Sequence, residues 1–218
     1  MGTRPRLVSI PTKPVTTRVV ELWSELREYI EIAGAGEILR RYFAMNAFDG
    51  ALTMMGFVVG TYISGLRDPR VVLTTGISAS FAMGVSGFVG ALLTEKAERE
   101  RKVRELERAM LKSLDGTIIA TASKVAILLA AIVDAVAPAL TALIISSPFI
   151  LSCMEFIDYD IAVLASLAIS MLLLYALGSY LGKISGGRSW VYGVIMLMAG
   201  VAVALLITLS SPGAVIGG

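Results

Sequence analysis

The chain has 218 residues, 56% hydrophobic and 17% charged, with a formal net charge of +2 and a mean hydropathy of +0.79. Soluble domains average about 45–50% apolar and about 25% charged residues, so this composition excludes a soluble globule and a disordered chain, and the small net charge gives no footprint for nucleic acid. There is no histidine and a single cysteine, Cys153, which excludes an internal disulfide, Ser-His-Asp and Cys-His catalysis, and zinc sites built on imidazole.

Residues 1–16 carry Arg4, Arg6 and Lys13 but no apolar run of signal-peptide length, so the first membrane segment is expected to be internal. In 17–33, Val19, Leu22, Trp23, Leu26, Ile30 and Ala33 recur at helical spacing opposite Glu21, Glu25, Arg27 and Glu28. That pattern predicts an amphipathic helix lying on the inner leaflet, with a gating or dimer-contact role as the alternative. Gly34 and Gly36 are expected to break it. The chain thus divides into a cytoplasmic tail, 1–41, and a transmembrane domain, 42–218.

Five windows, 42–66, 71–94, 125–154, 161–182 and 189–218, contain only two charged residues, Asp49 and Asp134. A helix needs about 20 apolar residues to cross the hydrocarbon, so an all-α membrane protein is expected, with five transmembrane helices near 42–65, 71–94, 118–151, 161–182 and 190–211. Pro138 and Pro148 are expected to kink the third or end it early. Lys and Arg concentrate in 1–41, 95–116 and 183–189, against Arg67 and Arg70 on the other side. This bias predicts the N-terminus in the cytoplasm and the C-terminus outside. Glu155, Asp158 and Asp160 then form an acidic outer loop.

A carboxylate in mid-span costs roughly 2.5–3.5 kcal/mol and commonly marks an ion path. Asp49 shares its helical face with Asn46, Thr53, Gly56 and Gly60, a small, polar face suited to a lined path or to a hydrogen bond with a neighbouring helix. Gly56 and Gly60 also form a GxxxG, which permits close helix approach. In the second span, Gly76, Ser80, Met83, Gly87, Gly90 and Thr94 fall on one stripe. Met83 is its one large residue, either a soft ligand or a gap-filler. Asp134 precedes Pro138 by four residues, so its carbonyl loses a helical partner. It could offer a carboxylate and a carbonyl to a cation, or be satisfied by water or Thr141.

Residues 95–116 begin with a run free of Gly and Pro and are expected to continue the second span as a charged helix. Glu95–Arg99, Glu98–Lys102 and Glu100–Arg104 stand in the favourable i,i+4 order. Glu95, Glu98 and Glu105 could collect cations at the inner mouth, or belong to a solvated helix. Val103, Leu106 and Met110 could pack on a partner or on the N-terminal helix. No nucleophile motif or cofactor fingerprint is found, so neither enzymatic activity nor a cofactor is expected.

Asn46-Ala-Phe-Asp49-Gly50 opens the first span, Ser80-Phe-Ala-Met83-Gly84 lies in the second, and a Glu-rich helix follows. Gly187-Arg188-Ser189-Trp190 then joins the fourth and fifth spans, before Gly193 and Met196. In this order, over roughly 40–211, the chain resembles the vacuolar iron transporter family. The resemblance implies a homodimer that exports Fe²⁺ or Mn²⁺ from the cytosol in exchange for protons, with Asp49 and Met83 lining the path. It also implies contacts between copies through small residues of the first two spans, and a plasma-membrane location if the source is prokaryotic. The chain departs from the family in having Phe48 where Asn is common, Gly87 where Glu is common, and a short segment, 95–116, in place of a multi-helix metal-binding domain. The other functional readings are a carrier of another cation or small solute, and a membrane scaffold that docks a partner through 95–116.

Overall fold

A computed structural model describes the backbone of residues 15–210 and the side chains of Glu21 and residues 23–210. The described residues form six helices: α1 (Val15–Ile32), α2 (Ala35–Ile63), α3 (Pro69–Met110), α4 (Ile118–Cys153), α5 (Tyr159–Ile184) and α6 (Ser189–Ser210). Helices α2 to α6 are long and apolar enough to cross a membrane, so the chain is an all-helical protein of the multi-pass membrane type.

Local sequence accounts for most boundaries. Gly34 adopts φ 58 and separates α1 from α2, whereas Gly36 lies inside α2. Asp68 caps α3 by accepting a hydrogen bond from Arg70 N, with Pro69 in the first turn, where a missing N–H costs nothing. Thr117 caps α4 through Ala120 N. The charged helix ends at Met110, short of the expected 116, where Leu111 turns into the left-handed region at φ 52. Pro138 and Pro148 do not end α4, which runs unbroken from Ile118 to Cys153. Packed neighbours make interior prolines tolerable in apolar helices.

Helix α4 is the hub, packing against α1, α2, α3 and α5. It suits that place because its buried face is built of small residues, Ala122, Ala126, Ala130, Ala131, Ala137 and Ala142. Between apolar helices the hydrophobic effect gives little preference over lipid, so close van der Waals approach carries the packing. At Gly50 a methyl group would strike the Thr141 hydroxyl and come within 2.6 Å of the Pro138 backbone. The backbones of α2 and α4 therefore meet beside Asp49. Close approach along α2 is made at Gly50, not at the GxxxG: a methyl added at Gly60 would find nothing within 4 Å, and one at Gly56 would meet only Ile207.

Helix α3 packs chiefly on α4, leaving Ile77, Phe81, Val85, Val89 and Leu93 exposed. The amphipathic helix α1 docks on α4 and α2, with Trp23 projecting at 70% exposure. The stripe on α3 is not what receives it: Leu106 and Met110 are exposed, and Val103 faces a cavity against the start of α4.

Candidate functional site

A cavity of about 600 Å³ opens between α2, α3 and α4, lined by Asn46, Asp49 and Thr53 of α2, Ala82, Met83, Ser86 and Gly87 of α3, and Pro138 of α4. Positions 46, 49 and 53 fall on one face because 3.6 residues make a turn, as the sequence pattern predicts. The fold thus brings Asn46, Asp49 and Met83 together. Of the stripe expected on α3, Met83 and Gly87 line the cavity. Gly76 and Ser80 instead turn into the bundle, Gly76 against Met54 and Ser146.

Asp49 makes no hydrogen bond or ion pair with any described residue, and it stands exposed to the cleft. Asp134 is the opposite case. It is 7% exposed, and its carboxylate accepts a hydrogen bond from Asn46 Nδ2. Asn46 Nδ2 also donates to the Tyr42 carbonyl at 2.9 Å. Asp134 sits against the Cα of Gly87, where a methyl would lie 2.9 Å from its carbonyl oxygen and 3.0 Å from Oδ2. The Thr141 hydroxyl goes to the Ala137 and Pro138 carbonyls, at 3.2 and 3.0 Å, and so does not replace the partner that Pro138 denies residue 134. Neither Asp49 nor Asp134 has a basic partner among the described residues.

The cavity continues along α2 toward its C-terminal end. A second recess of about 480 Å³ is lined by Thr53, Gly56, Gly60, Thr61 and Ser64, with Phe57, Leu66 and Ile207. Thr53 belongs to both. From Asn46 to Ser64 this groove follows α2 for about 27 Å at 1.5 Å per residue, close to the roughly 30 Å of a hydrocarbon core.

The three acids of the charged segment are not gathered. Glu95 is buried and paired with Arg99 at 3.2 Å. Glu98 pairs with Lys102 at 4.0 Å and Glu105 with Arg101 at 2.8 Å, both on the exposed surface. The Arg101 hydrogen bond and charge hold the Glu105 carboxyl below the usual range. Among the described residues no group of three or more Asp, Glu, Cys or His could hold a metal ion. Any cation at the cavity must therefore rely on mixed ligands: carboxylate, thioether, amide and hydroxyl.

No family model matches the chain, and no solved structure matches it. An uncharacterised protein of Methanocaldococcus jannaschii is 29% identical over 174 residues, covering 78% of this chain and 87% of that protein.

Two residues at the site were missed by the sequence reading. Ser86 adds a hydroxyl to the cavity wall. Tyr42 lies one turn before Asn46 and donates to Glu95 Oε1 at 3.2 Å. Its position four residues before Asn46 and seven before Asp49 was the available signal.

Proposed function

We propose that this chain exports divalent metal, Fe²⁺ or Mn²⁺, from the cytosol in exchange for protons, in the manner of the vacuolar iron transporters it resembles. The observation that carries the reading is the Asp49 carboxylate, unpaired among the described residues, sharing one cavity with Asn46, Thr53 and Met83 near mid-length of the apolar helix α2. An ionised carboxylate there costs roughly 2.5–3.5 kcal/mol, a cost that a bound cation or proton removes. Carboxylate oxygen alone suits Mg²⁺ or Ca²⁺, whereas added thioether favours softer first-row ions. Metal binding requires the deprotonated carboxylate, so metal and proton compete for one group, which is the minimum needed for exchange.

The Lys and Arg bias places the N-terminus and the α3 extension in the cytoplasm. A homodimer completes the path. In one chain the groove along α2 is open on a side, and polar lining facing lipid is costly. The exposed face of α3 and the open side of α2 at Gly60 leave room for a second copy.

The test is reconstitution in liposomes under a pH gradient, following Fe²⁺ and Mn²⁺ entry together with lumenal pH. Metal entry coupled to proton exit in wild type, absent in Asp49→Asn, is the expected result. Metal flux retained in Asp49→Asn, or absent in folded wild type, refutes the reading.

A further inference from the structure

The charged end of α3 holds a second arrangement that cation binding does not use. Glu95 and Arg99 are 3% and 6% exposed, whereas Lys96, Glu98, Glu100, Arg101, Lys102 and Glu105 around them are at least 50% exposed. Arg99 Nε donates to Glu95 Oε2 at 3.2 Å, and Arg99 Nη1 donates to the Ala33 carbonyl at 3.2 Å. Tyr42 Oη donates to the other Glu95 oxygen at 3.2 Å. These contacts tie together α2, α3 and the α1–α2 junction, where Gly34 turns the chain.

The position of this cluster matters. Tyr42 lies about 6 Å along α2 from Asn46, and Asn46 bonds both the Tyr42 carbonyl and Asp134. Polar contacts therefore run from Arg99 to the cavity. Helices α2 and α3 meet on its far side through Met54 against Gly76, an apolar contact, and on its near side through Tyr42 and Glu95. A buried ion pair is poor evidence for stability, because desolvation offsets the attraction, and its best-attested use is to select one of two arrangements. A contact that merely joined the helices would be served by apolar residues.

We propose that Glu95, Arg99 and Tyr42 form a latch that closes the charged end of the Asp49 cavity and must open for a solute to enter. Its purpose rests on the transport reading, but the closure can be tested without any solute.

In a Cys153→Ser background, Ser86→Cys puts the sole thiol in the cavity wall. A charged, membrane-impermeant methanethiosulfonate is applied to membrane vesicles that present the α3 extension outward. Loss of a charge-assisted bond shifts a closed–open equilibrium by about tenfold or more. Glu95→Gln is therefore expected to raise the modification rate about tenfold, Tyr42→Phe less, and Arg99→Lys least. Tyr42→Phe removes one oxygen and guards against misfolding of the others. A parental rate in both folded Glu95→Gln and folded Tyr42→Phe overturns the latch.

A second measurement separates gating from scaffolding. Tyr42→Cys with Glu95→Cys is joined by a short, reducible bis-methanethiosulfonate, and Mn²⁺ flux is followed. Flux lost on cross-linking and restored by reductant supports the latch. Undiminished flux in the cross-linked protein overturns it, since a structural contact tolerates being made permanent. If wild type moves no metal while Glu95→Gln still exposes the Ser86→Cys thiol, the transport reading fails and the latch stands.

Discussion

A methyl group added at Gly87 would lie 2.9 Å from the Asp134 carbonyl oxygen and 3.0 Å from its Oδ2, whereas one added at Gly90 would meet nothing within 4 Å. Both glycines lie inside α3, so alanine gains the same helix propensity at each, about 0.8–1.0 kcal/mol. The difference between Gly87→Ala and Gly90→Ala therefore isolates the steric part. Overpacking of this kind costs about 1–3 kcal/mol. At about 2–4 °C per kcal/mol for a chain of this size, the two variants should melt about 2–12 °C apart, with Gly87→Ala the lower. The same methyl displaces Asp134 from Asn46, so metal flux is expected to fall in Gly87→Ala and to persist in Gly90→Ala. Thermal unfolding of the purified protein and liposome flux read the two effects. Equal melting temperatures and equal flux would refute the placement of Asp134 against Gly87.

Asp49→Asn, the variant expected to lose flux, is also expected to raise the melting temperature in the absence of metal, since it removes an unpaired mid-span charge; a fall of several degrees would mean that Asp49 has a structural partner. Asn46→Ala leaves the buried Asp134 carboxylate without its donor, a loss of about 1.5–3 kcal/mol for a bond to a charged group, seen as a lower melting temperature at neutral pH. Glu105 has a depressed carboxyl pKa, so its small contribution is full above the ordinary carboxylate range and is lost as pH falls through the depressed value. Because the Arg101–Glu105 pair is exposed, Glu105→Gln is expected to leave thermal stability at neutral pH unchanged; a marked fall would point to an unrecognised partner.

The spans were legible because charge is so sharply partitioned that only Asp49 and Asp134 interrupt the apolar windows. The common face of Asn46, Asp49 and Thr53 was legible for a related reason, since helical period is local. What escaped depends on the neighbours. Pro138 and Pro148 read as a kink or an early end, and of these the early end is not found, since α4 passes through both. Glu95 read as one of three solvent-facing acids, but its burial is decided by Tyr42, 53 residues earlier, and by the Ala33 carbonyl reached through Arg99. The i,i+4 pairing of Glu95 with Arg99 was visible in the sequence. That this pair alone would be enclosed was not, because the neighbouring pairs repeat the same spacing.

Asp49 and Asp134 are chemically alike and are held differently, and that difference argues for separate roles. Asp134 is buried, fixed by Asn46 and shielded from the cavity by Gly87. Asp49 faces the cavity directly and is fixed only through its backbone, because Gly50 locks α2 against Pro138. A ligand that must take up and release a cation has to keep its oxygens free, as Asp49 does. A carboxylate that need only contribute field can be buried and held by a neighbour, as Asp134 is by Asn46. With no basic partner near either among the described residues, a cation at Asp49 also feels the negative charge behind Asn46, and in a low-dielectric bundle that field is weakly screened. When both acids are ionised, a divalent cation cancels the pair and a monovalent cation leaves one charge uncompensated. On the proposed transport reading, a preference for divalent metal would follow from the pairing of one free and one fixed carboxylate, and the preference among divalent metals would fall to Met83. Met83→Leu should accordingly weaken Fe²⁺ and Mn²⁺ flux more than it weakens binding of Mg²⁺, and an equal loss for all three would remove the thioether from the ligand set.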